Sequence, residues 1–258
     1  MRKIAEDFAL STRFVSAMQA AQASLLVSSM TIYEFALLSD TRHSQSVDAL
    51  LEQLFRHLYF IQCEPFTVIM NEDAIINGVS SDPPHADAEL LKQTIILARQ
   101  QQGPLQLTSL FSRHSTRLRP VLTEFTENVQ KAFEILRTRV AADPALRRNA
   151  DTALEQIGDR KTATRALLTA LIKPLHDDRL PSENDTVDLM HAVVPGAYAD
   201  FVVLDGKWAS ALTQAEQRIR RVGYNAPIAA SMSLRGDGIN DFIRALESRK
   251  AAACTGGV

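Results

Sequence analysis

Phe201-Val202-Val203-Leu204 is an unbroken apolar run bracketed by Asp200 and Asp205. A run this short is too brief for a buried helix. It predicts a strand covered on both faces, the condition of a parallel sheet. Asp205 then stands at the C-terminal end of that strand, where open α/β sheets build their sites. Just upstream, the segment from Asn184 to His191 carries Asp185 and Asp188 three residues apart, which on a helix places them on one face. Carboxylates grouped without a neighbouring cysteine suit a hard cation, magnesium or manganese.

The rest of the chain supplies the helices and further strands that such a strand requires. Ile4, Phe8, Leu10, Phe14, Val15 and Met18 recur at helical spacing and predict one helix over Ile4 to Gln22. Leu25-Leu26-Val27 reads as a short buried strand, after which Ser28 or Ser29 can cap a helix starting near Thr31 and bearing Glu34. Ser46 to Leu58 predicts an amphipathic helix, Tyr59 to Ile61 a strand, and Phe66 to Ile76 a helix behind Pro65. Ser80 to His85, with Pro83-Pro84, is a loop. From Ala86 to about Lys173 the pattern is helical and broken by Pro104, Pro120 and Pro144. Lys207 to Arg221 reads as a basic helix, Ala226 to Met232 as the last strand, Ile239 to Ser248 as the last helix, and Ala251 to Val258 as a frayed tail. Strands separated by helices predict an α/β fold with crossover connections. The expected organisation is a single domain over 1–258 containing a large helical insertion at 86–180.

Composition excludes several classes. The net charge of −2 over 258 residues gives no global attraction to nucleic acid, so any such binding must come from local basic patches. Cys63 and Cys254, far apart, form neither a disulfide framework nor a zinc motif, and a reducing cytoplasm is the expected compartment. No run approaches the roughly 18 apolar residues of a membrane span. Glycine is sparse, and no phosphate-cradling or nucleophile-elbow motif is present.

Three stretches together resemble the PIN-like nuclease superfamily. They are Val27 to Phe35 (VSSMTIYEF), Asn184 to His191 (NDTVDLMH) and Tyr198 to Asp205 (YADFVVLD). The resemblance covers about residues 1–72 and 183–248, outside the helical middle. It implies a parallel sheet flanked by helices and metal-dependent hydrolysis of RNA. Glu34, Asp188 and Asp205 would hold one or two magnesium or manganese ions, with Asp185 a further catalytic residue and Asp200 a competing assignment. Lys207, Arg218, Arg220 and Arg221 would contact RNA, joined by Arg113, Arg117 and Arg119 of the middle helices. One departure stands out. PIN-like domains begin with a middle strand ending in aspartate, and nothing of that kind precedes Ile4. The expectation is therefore a chain truncated at its N-terminus, with catalysis impaired, and a binding or regulatory role as the alternative to cleavage. A protein partner or a second copy of the chain is compatible with either role.

Each candidate also has a structural reading. Asp185 can cap its helix, Glu34 can favour a helix start, and His191 can be a partly buried hydrogen-bonder. Trp208 reads as core, the arginines of 218–221 as a solvated face, and Glu72-Asp73 has no assignable partner. Crowded carboxylates without a cation are expected to show raised pKa values.

Overall fold

The computed structural model describes residues 1–36, 41–100, 106–108, 152–155, 157, 162–172 and 182–255, with isolated residues between 123 and 143. It is mixed α/β and mostly helical. In chain order the elements are α1 (Arg2–Glu6), α2 (Phe8–Ala20), β1 (Leu25–Val27), α3 (Ser29–Ala36), α4 (Thr41–Gln53), β2 (Leu58–Phe60), α5 (Pro65–Ile76) and α6 (Ala88–Gln100). There follow α7 (Thr152–Glu155), α8 (Ala163–Ile172), α9 (Glu183–Tyr198), β3 (Phe201–Leu204), α10 (Gly206–Arg221), β4 (Ala230–Ser233) and α11 (Gly238–Thr255). Arg113, Arg117 and Arg119, and the Pro104, Pro120 and Pro144 breaks, lie outside the described residues. Among those residues no helix is long and apolar enough to cross a membrane.

The fold divides into two compact units. One comprises Met1–Ile61, Ala86–Pro120 and Ile239–Val258, and the other Gln62–His85 and Val121–Gly238. The strands follow this division. They form two separate parallel pairs, β1 with β2 and β3 with β4, where the sequence predicts a single sheet. In the first unit Leu26 stands opposite Tyr59. In the second, Phe201 stands opposite Ala230 and Leu204 opposite Ser233.

Side-chain caps set most helix starts. Asp7 accepts from the Leu10 amide at 3.0 Å. It therefore ends α1 and begins α2, breaking in two the single helix expected over Ile4 to Gln22 and leaving Phe8 87% exposed. Ser28 accepts from the Thr31 amide at 3.1 Å and starts α3, as its position suggests. Glu64 accepts from the Phe66 and Thr67 amides, and Pro65 fills the first helical position, where its missing N–H costs nothing. α4 stops at Gln53, and a 3-10 turn over Phe55–His57 delivers Leu58 into β2. Leu58 is thus a strand residue, not the end of the expected helix. β4 begins at Ala230, four residues later than expected, because its register is fixed by β3. The preceding loop instead packs Tyr224 and Ile228 onto the core. α11 continues through Thr255, beyond the predicted helix end and into the predicted tail.

The first unit buries Phe14, Met18, Leu50, Leu54, Ile243 and Leu246 together. Arg13 clamps Glu247 through two nitrogens at 2.8 and 2.7 Å, joining α2 to α11. Buried Asp48 accepts from the Thr108 amide at 2.8 Å and its hydroxyl at 2.6 Å, which satisfies a carboxylate that would otherwise be costly to bury. The second unit is built around Leu167, Leu171, Leu189, Val193, Trp208 and Leu212 from α8, α9 and α10. Gly196 permits that packing: a Cβ there would lie 3.2 Å from Leu212 and 3.3 Å from Leu167.

Candidate functional site

The turn at Ala199 and Asp200 sends the chain from the end of α9 straight into β3. The helix must run back along the strand, so its first turns lie at the strand's C-terminal end. The side chains record this. Lys207, two residues past Asp205, places Nζ 2.6 Å from Asp185 Oδ1 in the first turn of α9. Asp185 and Asp205 are therefore gathered at one end of β3, with Asp188 one turn further along α9.

Each carboxylate already has donors. Asp185 and Ser182 form a reciprocal capping box: the Asp185 amide donates to Ser182 Oγ at 3.1 Å, and Asp185 Oδ2 accepts from the Ser182 amide at 3.2 Å and its hydroxyl at 2.8 Å. Its other oxygen accepts from Lys207. Asp205 caps α10, with Oδ1 accepting from the Trp208 amide at 2.8 Å. Lys207 is steadied from a second side by the Trp208 ring, whose centroid lies 5.5 Å from Nζ. At the end of β4, the exposed Arg235 crosses Gly206. A Cβ at Gly206 would meet the arginine Cδ at 3.4 Å. The strand end thus carries two carboxylates and two cations.

Its electrostatics run against the sequence expectation. Asp185 is not pushed up by its neighbours. The Lys207 ammonium, followed by the Ser182 hydroxyl, holds its carboxyl down at about 2. The physical reason is that the protein supplies its own cation, which removes the carboxylate repulsion that a metal would otherwise relieve.

The remaining candidates are placed as follows. Glu34 is exposed on α3 in the first unit, where its charge reaches the Met1 amine. Asp188 and His191 are half-buried on one stripe of α9. Asp200 precedes β3, and its carbonyl accepts from the Ala230 amide at 2.9 Å. Arg218, half-buried, donates to the Ala170 carbonyl at 2.8 Å and so helps pack α10 against α8. Arg220 pairs with Glu216 at 2.7 Å, while Arg221 is exposed. Trp208 is core, 3% exposed.

Carboxylate oxygens suit magnesium or manganese chemically, but the arrangement does not fit such an ion as it stands. Among the described residues no three His, Cys, Asp or Glu side chains converge on a common ion position. The ammonium of Lys207 already answers Asp185.

Sequence reasoning missed the partners of Glu72 and Asp73. Asp73 accepts from Arg165 at 2.6 Å. Glu72, only 6% exposed, accepts from the Tyr198 hydroxyl at 2.6 Å. The available signal was a carboxylate set within the apolar Phe66–Ile76 helix. Its partner lies 126 residues away, beyond the reach of local spacing. No protein-family model, curated protein or solved structure matches this chain.

Proposed function

We propose that this chain is a PIN-like protein of the cytoplasm that binds single-stranded RNA without cleaving it. The observation that carries the reading is the Lys207–Asp185 pair, 2.6 Å apart at the C-terminal end of β3. An ammonium at that place neutralises the carboxylate but, unlike a divalent ion, cannot polarise a phosphoryl oxygen or generate a metal-bound hydroxide. A further feature supports the PIN-like part. The order of strand, serine cap, Glu34-bearing helix, Asp188-bearing helix and Asp205-ended strand follows the superfamily's order. Support for RNA comes from exposed cations on the second unit: Lys207, Arg221 and Arg235.

Fluorescence anisotropy of a labelled single-stranded RNA, titrated with the protein in EDTA over a salt series, tests the binding half. Saturable binding should weaken with salt, with a log–log slope of about −0.7 per phosphate contacted. Lys207→Ala and Arg235→Ala should each flatten that slope by about 0.7. Absence of binding at low salt would refute the reading.

A second reading is favoured by one observation, the exposed position of Asp205 at the strand end beside the first turns of α9. In it the chain is a metal-dependent endoribonuclease, with Asp188 and Asp205 taking magnesium or manganese and Asp185 assisting. This reading requires Lys207 to leave Asp185.

A further inference from the structure

At the other end of α9, ten residues past Asp188 and therefore about 15 Å along the helix, a second polar cluster is built around Glu72. Its carboxylate is buried, and Tyr198, His85 and Tyr224 gather near it. Oε1 accepts from the Tyr198 hydroxyl. The His85 ring stacks on Tyr198, with centroids 4.1 Å apart and planes inclined by 20°. Tyr224 lies close enough that the Glu72 charge, after burial itself, pushes its phenol up. Burial first, and then the bond to Glu72, pushes Tyr198 up as well. Among the described residues no donor reaches Glu72 Oε2, which is buried.

That bare oxygen is the informative feature. A carboxylate oxygen only accepts, and leaving one buried without a donor carries a large desolvation penalty. Arg165 donates to the adjacent Asp73 at 2.6 Å. His85 is held toward its neutral form, chiefly by burial. The three rings are only half-buried, so each keeps part of its surface in solvent while the carboxylate is buried. A buried acceptor beside partly exposed aromatic rings selects a ligand that brings donors, positive charge and a flat or compact shape.

We propose that Glu72, Tyr198, His85 and Tyr224 form a binding site for a small organic cation of the guanidinium or primary ammonium class. Glu72 Oε2 receives its N–H groups, and the Tyr198–His85 stack and Tyr224 face its charge. The site is independent of the end of β3 and of the RNA reading.

The test uses methylguanidinium as the probe, followed by NMR of the Tyr198 and Tyr224 ring signals in the full chain. Urea serves as the uncharged control of the same shape. Saturable shifts of both rings with methylguanidinium and none with urea are expected. In Glu72→Gln, which keeps the volume but removes the charge, affinity should fall at least about tenfold. The proposal is overturned if methylguanidinium gives no saturable shift, if urea binds equally well, or if Glu72→Gln binds as tightly as the parent. The comparison of methylguanidinium with urea is made in the unaltered protein, so it decides even where the variant does not fold.

Discussion

Replacing Lys207 with methionine isolates the contact on which the functional reading rests. Methionine keeps much of the aliphatic stem over Trp208 and removes the ammonium. In the folded chain Asp185 sits at about 2, down from 3.8, with Lys207 the largest cause and Ser182 the next. A depression of about 1.8 units corresponds to about 2.4 kcal/mol at 1.36 kcal/mol per unit. The Asp185 side chain is 23% exposed but that of Lys207 is 63% exposed. Solvent screening therefore reduces the contribution to about 1 kcal/mol or less. A carboxyl whose folded pKa is depressed contributes stability above its unfolded value and loses it as pH falls through the folded one. The contribution is thus nearly complete above about pH 4 and is lost as pH falls through about 2. In Lys207→Met the Asp185 midpoint should rise by about one unit, part of the depression remaining because the Ser182 donors stay in place. The assay is an NMR titration of the Asp185 carboxyl carbon, with urea unfolding at pH 5 and pH 2.5 beside it. The variant should be destabilised at pH 5 and by about half as much at pH 2.5. Identical Asp185 midpoints in the two proteins would show that the ammonium does not hold this carboxylate and would remove the basis of the reading.

Three further outcomes follow from the packing. Tyr198→Phe strips buried Glu72 of the Tyr198 hydroxyl donor and should lower stability by about 1–3 kcal/mol in urea unfolding, whereas an unchanged midpoint would show the bond to be dispensable. Leu212→Ala, at a side chain 1% exposed in the second unit's core, should cost about 2–5 kcal/mol by the same measurement; a loss under about 1 kcal/mol would contradict that packing. Gly238→Ala puts a Cβ 1.7 Å from the Ser233 carbonyl oxygen and should cost about 3 kcal/mol or more, so a variant that melts like the parent would show the turn into α11 to be built differently.

Elements whose signals were local and complete were legible in the sequence. β3 spans Phe201–Leu204 as the apolar run predicts, and α10 begins immediately after Asp205, which caps it. α5 follows from Pro65 and the periodicity behind it. Where two local signals competed, the apolar pattern misled. Phe8 and Leu10 continue the spacing begun at Ile4, but Asp7 captures the Leu10 amide and starts a new helix. Leu58 matches the α4 face yet pairs with Leu25 in β2. β4 starts where β3 fixes the register, a long-range constraint that no window around Ala226 contains.

The candidate site was legible in part. The positions of Asp185 and Asp205 at one end of β3 follow from a strand, a helix and a short turn, all readable. Their chemical state does not. Whether Asp185 faces an open cation position or an ammonium depends on where the Lys207 side chain lands after the chain has doubled back, and spacing is silent on that. Glu72 shows the same limit more strongly, since its partner Tyr198, and His85 stacked on Tyr198, come from distant parts of the sequence.

The most direct test of the central claim is incubation of a labelled single-stranded RNA pool with the purified chain in manganese, in magnesium and in EDTA, beside Asp188→Asn and Asp205→Asn. The account predicts intact RNA in all three conditions, from a protein that retards it on a native gel. Cleavage that requires metal and disappears in both variants would contradict the account and establish the nuclease reading in its place.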